Sequence, residues 1–176
     1  MKKFPIKDIY ENCESIMVSL IVITLIIVFA FRAVSVDGDS MLPTLHHGER
    51  LITTNLFYTP EKGDIVVLDK NNELGKPLVK RVIATEGDTI RIDYTTGDVY
   101  VNGELLEESY ILEKIEPVSI NDIETTIKEG YVFVMGDNRN DSLDSRSQNI
   151  GQVNTKNILG KALFSIFPFD SIGCLY

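Results

Sequence analysis

Ile16 to Phe31 reads IMVSLIVITLIIVFAF, sixteen residues without a charge. A helix that crosses a bilayer needs about 20 mostly apolar residues for a hydrocarbon core of roughly 30 Å. Continuing to Val36 gives twenty-one residues with a single charge, Arg32. Its long stem can snorkel to the headgroups, so Arg32 suits a membrane boundary. A buried core helix fits poorly, because the run offers no polar face for a small domain to expose. An amphipathic surface helix fails for the same reason. A cleaved signal peptide competes, since Ala33-Val34-Ser35 offers small residues where cleavage needs them. Against cleavage stand the long preceding segment and its Asp8, Glu11 and Glu14. The reading adopted is an uncleaved anchor over 15–35, with a tail over 1–14.

Lys2, Lys3 and Lys7 precede the run, and only Arg32 and Arg50 fall close behind it. That bias puts the N-terminus in the cytoplasm and residues 36–176 outside, in a single-pass protein of the cell membrane. Cys13 and Cys174 then lie on opposite sides and do not pair within one chain. Cys13 is a plain helix-start residue or a juxtamembrane lipidation site. The chain carries 26 Asp and Glu against 17 Lys and Arg. Residues 1–35 hold four basic and three acidic groups, so the whole acidic excess belongs to the external part. A body of that sign lacks the clustered Lys and Arg of a nucleic-acid binder, and no Cys/His spacing resembles a zinc site.

Beyond residue 36 the pattern becomes short runs rich in β-branched residues, broken by turn residues. Asp64–Leu68, Leu78–Ala84, Ile90–Tyr94, Asp98–Val101, Tyr131–Met135 and Ala162–Ile166 are the expected strands. Asn102-Gly103 suits a hairpin turn. The pattern predicts a mostly β, barrel-like antiparallel body of about 140 residues. Residues 85–130 form a hairpin or small insertion subdomain, with the acidic stretch Glu104–Glu129 as a solvated loop or part of it. Phe167-Pro168-Phe169 either packs in the core or touches the membrane surface.

Two polar residues stand out. In a strand over 78–84, Lys80 shares its face with Leu78, Val82 and Ala84, so it is an edge lysine, a snorkelling one, or partly buried. Burial disfavours the ammonium and turns a lysine into a competent general base. Ser40 lies in Gly38-Asp39-Ser40-Met41-Leu42-Pro43-Thr44-Leu45, a turn-prone segment a few residues past the anchor. A serine needs a base to become a nucleophile, and Ser–Lys is one recognised pairing. His46 and His47 have no clear local Asp to orient them and read as surface residues.

Those residues resemble a family. Gly38–Leu45 looks like the serine box of bacterial type I signal peptidases, or leader peptidases, and Lys80-Arg81-Val82-Ile83-Ala84-Thr85-Glu86-Gly87-Asp88 resembles their lysine box. Gly136-Asp137-Asn138-Arg139-Asn140-Asp141-Ser142-Leu143-Asp144-Ser145-Arg146 resembles their third box. The boxes follow one anchor in the family's order, as in its compact single-anchor Gram-positive type. The resemblance implies a membrane-bound serine endopeptidase that removes N-terminal signal peptides after small residues, at Ala-x-Ala type sites. It implies Ser40 as nucleophile, Lys80 as base, Ser142 as orienter of the lysine amine, and a supporting Asp144–Arg146 ion pair. Met41 is expected near the substrate groove. No metal or other cofactor is implied. The implied partners are signal peptides of pre-proteins and the lipid bilayer, with the protein translocase left open.

Gly38 stands where some relatives have a serine whose hydroxyl helps hold the oxyanion. Ala84 and Glu86 replace residues that are usually Gly and Gly or Pro. Two other readings are a self-cleaving repressor peptidase, which would need a DNA-binding helical domain, and a non-catalytic family member that organises the export machinery.

Overall fold

The computed structural model describes residues 6–70, 75–169 and 172–175. It separates into two units, Met1–Arg32 and Ala33–Tyr176. The first is helix α1, Ile6–Ala30. Its stretch Asn12–Ala30 is long and apolar enough to cross a membrane, about 28 Å at helical rise. Side chains over 12–29 are exposed on every face. A helix apolar all round and uncovered by protein is suited to lipid. One N-terminal apolar helix of this kind fits a single-pass anchor. The helix stops at Ala30, short of residue 35, because Phe31–Ser35 forms strand β1 instead, next to β2 (Arg50–Thr54).

The second unit is mostly β, as the pattern of short runs predicts. Its larger sheet runs β1, β2, β11 (Ile158–Phe167), β3 (Ile65–Leu68), β4 (Leu78–Ala84), β9 (Tyr131–Met135) and β10 (Val153–Asn154), with β12 (Gly173–Cys174) also on β11. The path is open and curled, an antiparallel half-barrel with bulges in β11. A smaller sheet runs β7 (Glu104–Leu105), β6 (Asp98–Val101), β5 (Thr89–Asp93) and β8 (Ile123–Thr126).

All seven residues of β4 are buried, because protein covers both of its faces. On one side Ile83 and Ala84 join Phe133 and Met135 of β9 against Ile90, Ile92, Val99 and Val101 of the small sheet. On another, Val79 packs with Ile65 and Val67 against Val36, Met41, Leu45 and Leu51. Each apolar side chain taken fully inside contributes about 1.5–3 kcal/mol. Lys80 and Arg81 occupy two positions of this strand and are buried with the rest. Their charge therefore demands partners, and those partners define the site.

Candidate active site

Lys80 is 2% exposed. Its strand neighbours are β3, where Val66 stands opposite, and β9. Among the described residues its one side-chain hydrogen bond is with the serine box, where Nζ lies 2.6 Å from Ser40 Oγ. Burial pushes the Lys80 ammonium down to about 8 from its ordinary 10.5, with Asp144 opposing and Arg146 assisting that fall. A hydroxyl and an amine of this kind, 40 residues apart in sequence, can exchange a proton directly.

The Ser40 turn is fastened from several directions. Val36 N–H donates to Glu49 O at 2.8 Å and Gly48 N–H to Val36 O at 3.0 Å, which closes the loop. Asn138 donates through its backbone to Ser40 O at 3.1 Å and through Nδ2 to Asp39 O at 3.2 Å. Gly38 sits at φ +96°, in the left-handed region that a glycine adopts without steric cost. Its N–H donates to Nδ1 of His47, a surface residue as the sequence suggests, at 3.0 Å. The Ser40 N–H makes no hydrogen bond among the described residues.

The third box supplies the floor. Asp144 is buried and takes Arg146 Nε and Nη2, each at 2.8 Å, and the Gly136 N–H at 3.0 Å. Burial alone would raise the Asp144 carboxyl, but the Arg146 guanidinium and Gly136 amide hold it below its ordinary range. Ser142 Oγ is buried and has no hydrogen-bond partner among the described residues, although it lies close enough to Asp144 to help keep it ionised. It makes no hydrogen bond to Lys80 here. A Cβ on Gly136 would overlap both Ser142 Oγ and Ser40 O, so only glycine permits this approach. Met41, expected near a groove, is 1% exposed and lies in the core cluster with Leu45 and Leu51.

Arg81 carries a burden that sequence reading missed. Its Nε and Nη2 clasp Asp137 at 2.8 and 2.6 Å, and its Nη1 donates to Gly63 O at 2.9 Å. Thr44 Oγ1 adds a 2.5 Å bond to Asp137 Oδ2. This pair ties the lysine box to the third box and to the end of the serine box. Breaking a buried pair strands a charge and costs about 3–5 kcal/mol. Asp137→Ala is therefore expected to lower Tm sharply in thermal unfolding, and an unchanged Tm would contradict that role. The turn after Lys80 holds despite Ala84 and Glu86: Asp88 accepts from Thr85 N–H at 2.9 Å, and Glu86 accepts from Gly130 N–H at 2.8 Å.

The same residues carry a family pattern. The family model described as signal peptidase, peptidase S26 matches residues 9–167, nearly the whole chain. The chain belongs to that family. It is 39% identical to a probable signal peptidase I-1 of Synechocystis sp., over 97% of this chain and 89% of that protein. It is 36% identical to a signal peptidase I of Bacillus licheniformis, over 94% of this chain and 92% of that protein. A crystal structure of a signal peptidase I from Enterococcus faecalis is 29% identical, with TM-score 0.47, covering 59% of this chain and 97% of that one. Membership of the S26 family makes this chain a serine peptidase whose work is signal-peptide removal.

Proposed function

We propose that this peptidase works through a Ser40–Lys80 dyad, with Ser40 as nucleophile and neutral Lys80 as its base. The observation that carries the reading is the 2.6 Å approach of Nζ to Oγ inside a slot where Lys80 has no other polar partner among the described residues. Lys80 takes the Ser40 hydroxyl proton as Oγ bonds to the scissile carbonyl carbon. In this reading the Ser40 N–H receives the negative charge that develops on the carbonyl oxygen. When the tetrahedral species collapses, the C–N bond breaks and the Lys80 ammonium returns its proton to the leaving amine. A water then attacks the acyl carbon and gives its proton to Lys80, and as the bond from that carbon to Oγ breaks, the Lys80 ammonium returns the proton to Ser40.

Asp144, Arg146 and Ser142 support this arrangement without reacting. The Asp144–Arg146 pair is internally neutralised and packs beneath Gly136, so it shapes the slot. The orphaned Ser142 hydroxyl is a donor or acceptor in waiting for the lysine amine or the hydrolytic water. Gly38, whose amide is held by His47, sets the entry of the Ser40 turn.

The substrates are pre-proteins with signal peptides cut after small residues at Ala-x-Ala type sites. Helix α1 spans the cell membrane once, N-terminus inside, so that residues 36–176 work outside. Ser40 follows helix α1 by ten residues of chain, and a predominantly apolar anchor needs no lipid attraction from an acidic body. The test is cleavage of a pre-protein by the full chain in detergent, with the product N-terminus sequenced. A cut directly after an Ala-x-Ala site is the expected product. Intact pre-protein, or cuts elsewhere in the same substrate, would overturn the assignment.

A further inference from the structure

Residues 108–116 join β7 to β8, inside the acidic stretch that composition assigns to a solvated loop or small subdomain. Glu108, Tyr110, Ile111 and Ile115 are partly or fully buried, while Ser109, Leu112, Glu113, Lys114 and Glu116 face solvent. They run as a strap along the third box: Glu108, Tyr110 and Leu112 meet Arg139, Arg81, Thr44 and Asp137, and Glu113, Lys114 and Glu116 bond to Asn140.

Glu108 and Arg139 form a buried ion pair, with Nη1 donating to Oε2 at 2.7 Å and Nη2 donating to Oε1. Arg139 Nε in turn donates to Gly136 O at 3.1 Å, the residue pressed between Ser40 and Ser142. The Arg81 guanidinium lies 4.1 Å from the centre of the Tyr110 ring, a cation–π contact on the residue next to Lys80. The Tyr110 carbonyl accepts from Thr44 Oγ1 at 3.5 Å. Leu112 N–H donates to Asp137 O at 3.1 Å, and Glu113 bridges Asn138, the residue that holds Ser40 O. At its far end the strap is pinned to the small sheet. Ile115 is buried there, and its carbonyl oxygen occupies the place where a Cβ on Gly97 would go.

We propose that Glu108 and Tyr110 are positioning residues for the Ser40–Lys80 pair, held against all three boxes by a strap that the small sheet anchors. The proposal rests on the dyad reading. A loop that merely filled space would meet the boxes with apolar side chains. This one meets them with a buried carboxylate on Arg139 and an aromatic face on Arg81. Proton transfer depends steeply on geometry, and a misplacement of about 1 Å costs about a hundredfold in rate. Loosening the strap also lets water reach the slot, which moves Lys80 back towards its ordinary 10.5.

The experiment measures kcat, KM and the pH midpoint of kcat for pre-protein cleavage by the full chain in detergent. Tyr110→Phe keeps the ring on Arg81 and loses only a 3.3 Å bond from its hydroxyl to Glu108, so it should match the parent within about twofold. Tyr110→Leu should lower kcat by about tenfold or more, leave KM within about twofold, and raise the pH midpoint. Gly97→Ala and Gly103→Ala form a second, matched comparison. Both glycines sit at left-handed φ in turns of the small sheet, but only Gly97 has the strap in its way. Gly97→Ala should act like Tyr110→Leu, and Gly103→Ala like the parent.

Full kcat in Tyr110→Leu and Gly97→Ala would overturn the proposal. So would a loss of activity with the pH midpoint unmoved, because that marks a smaller folded fraction and nothing more. Ser40→Ala assayed alongside separates the two levels: its inactivity beside a fully active Tyr110→Leu rejects the strap alone, whereas undiminished cleavage by Ser40→Ala rejects the dyad.

Discussion

Replacement of Ser40 by Ala is expected to leave the fold intact and to lower kcat for pre-protein cleavage by more than about 10⁴-fold. The hydroxyl contributes a single short contact, to Lys80 Nζ at 2.6 Å, so little packing is lost with it. What disappears is the atom that forms the acyl bond. The loop that carries residue 40 keeps its backbone ties to Asn138 and the Val36–Glu49 closure. Circular dichroism and Tm of Ser40→Ala should therefore overlay those of the parent. Cleavage at parental rates by that variant would remove Ser40 from the reaction.

Lys80→Arg is expected to lose kcat by about 10³-fold or more at every pH, since a base and the nucleophile it activates act as a unit. A guanidinium stays charged and cannot accept the Ser40 proton. In the parent, the neutral amine is the active form. With Lys80 near 8, kcat/KM should fall about tenfold for each pH unit below that value and level off above it. Folding linkage has the same sign. The unfolded lysine holds its proton up to about 10.5 and the folded one only to about 8, so stability increases with pH between those two values. A flat pH profile, or turnover by Lys80→Arg, would reject Lys80 as the base.

Much of the fold was legible because its signals are local. Leu78–Ala84 and Tyr131–Met135 are continuous runs of mainly β-branched and apolar residues, and they are strands β4 and β9. β2 carries no such local signal: Arg50-Leu-Ile-Thr-Thr is short and opens on a charge, and its strand character comes from pairing with β1 and β11. Phe31–Ser35 is apolar enough to extend an anchor, but it finds hydrogen bonds beside β2.

The site was legible chiefly through its resemblance to a known family. Nothing near Lys80 in sequence announces Ser40, because the β4 register and the loop over 36–51 bring them together. Charge composition reports average exposure, so it assigns Glu108 to a solvated acidic stretch. Its burial depends on Arg139, 31 residues further on, and no local pattern encodes such a pairing. Arg81 was visible as a box residue, but its clasp on Asp137 is likewise a product of the β4–β9 pairing.

The central claim, a serine activated by a neutral buried lysine, is tested most directly by covalent labelling. The full chain in detergent is treated with an acylating serine probe from about pH 6 to about 10, and the adduct is located by mass spectrometry. The account predicts one adduct, on Ser40, forming with a midpoint near pH 8 and absent from both Ser40→Ala and Lys80→Arg. Labelling of another residue, or Ser40 labelling that is equally fast in Lys80→Arg, would contradict it.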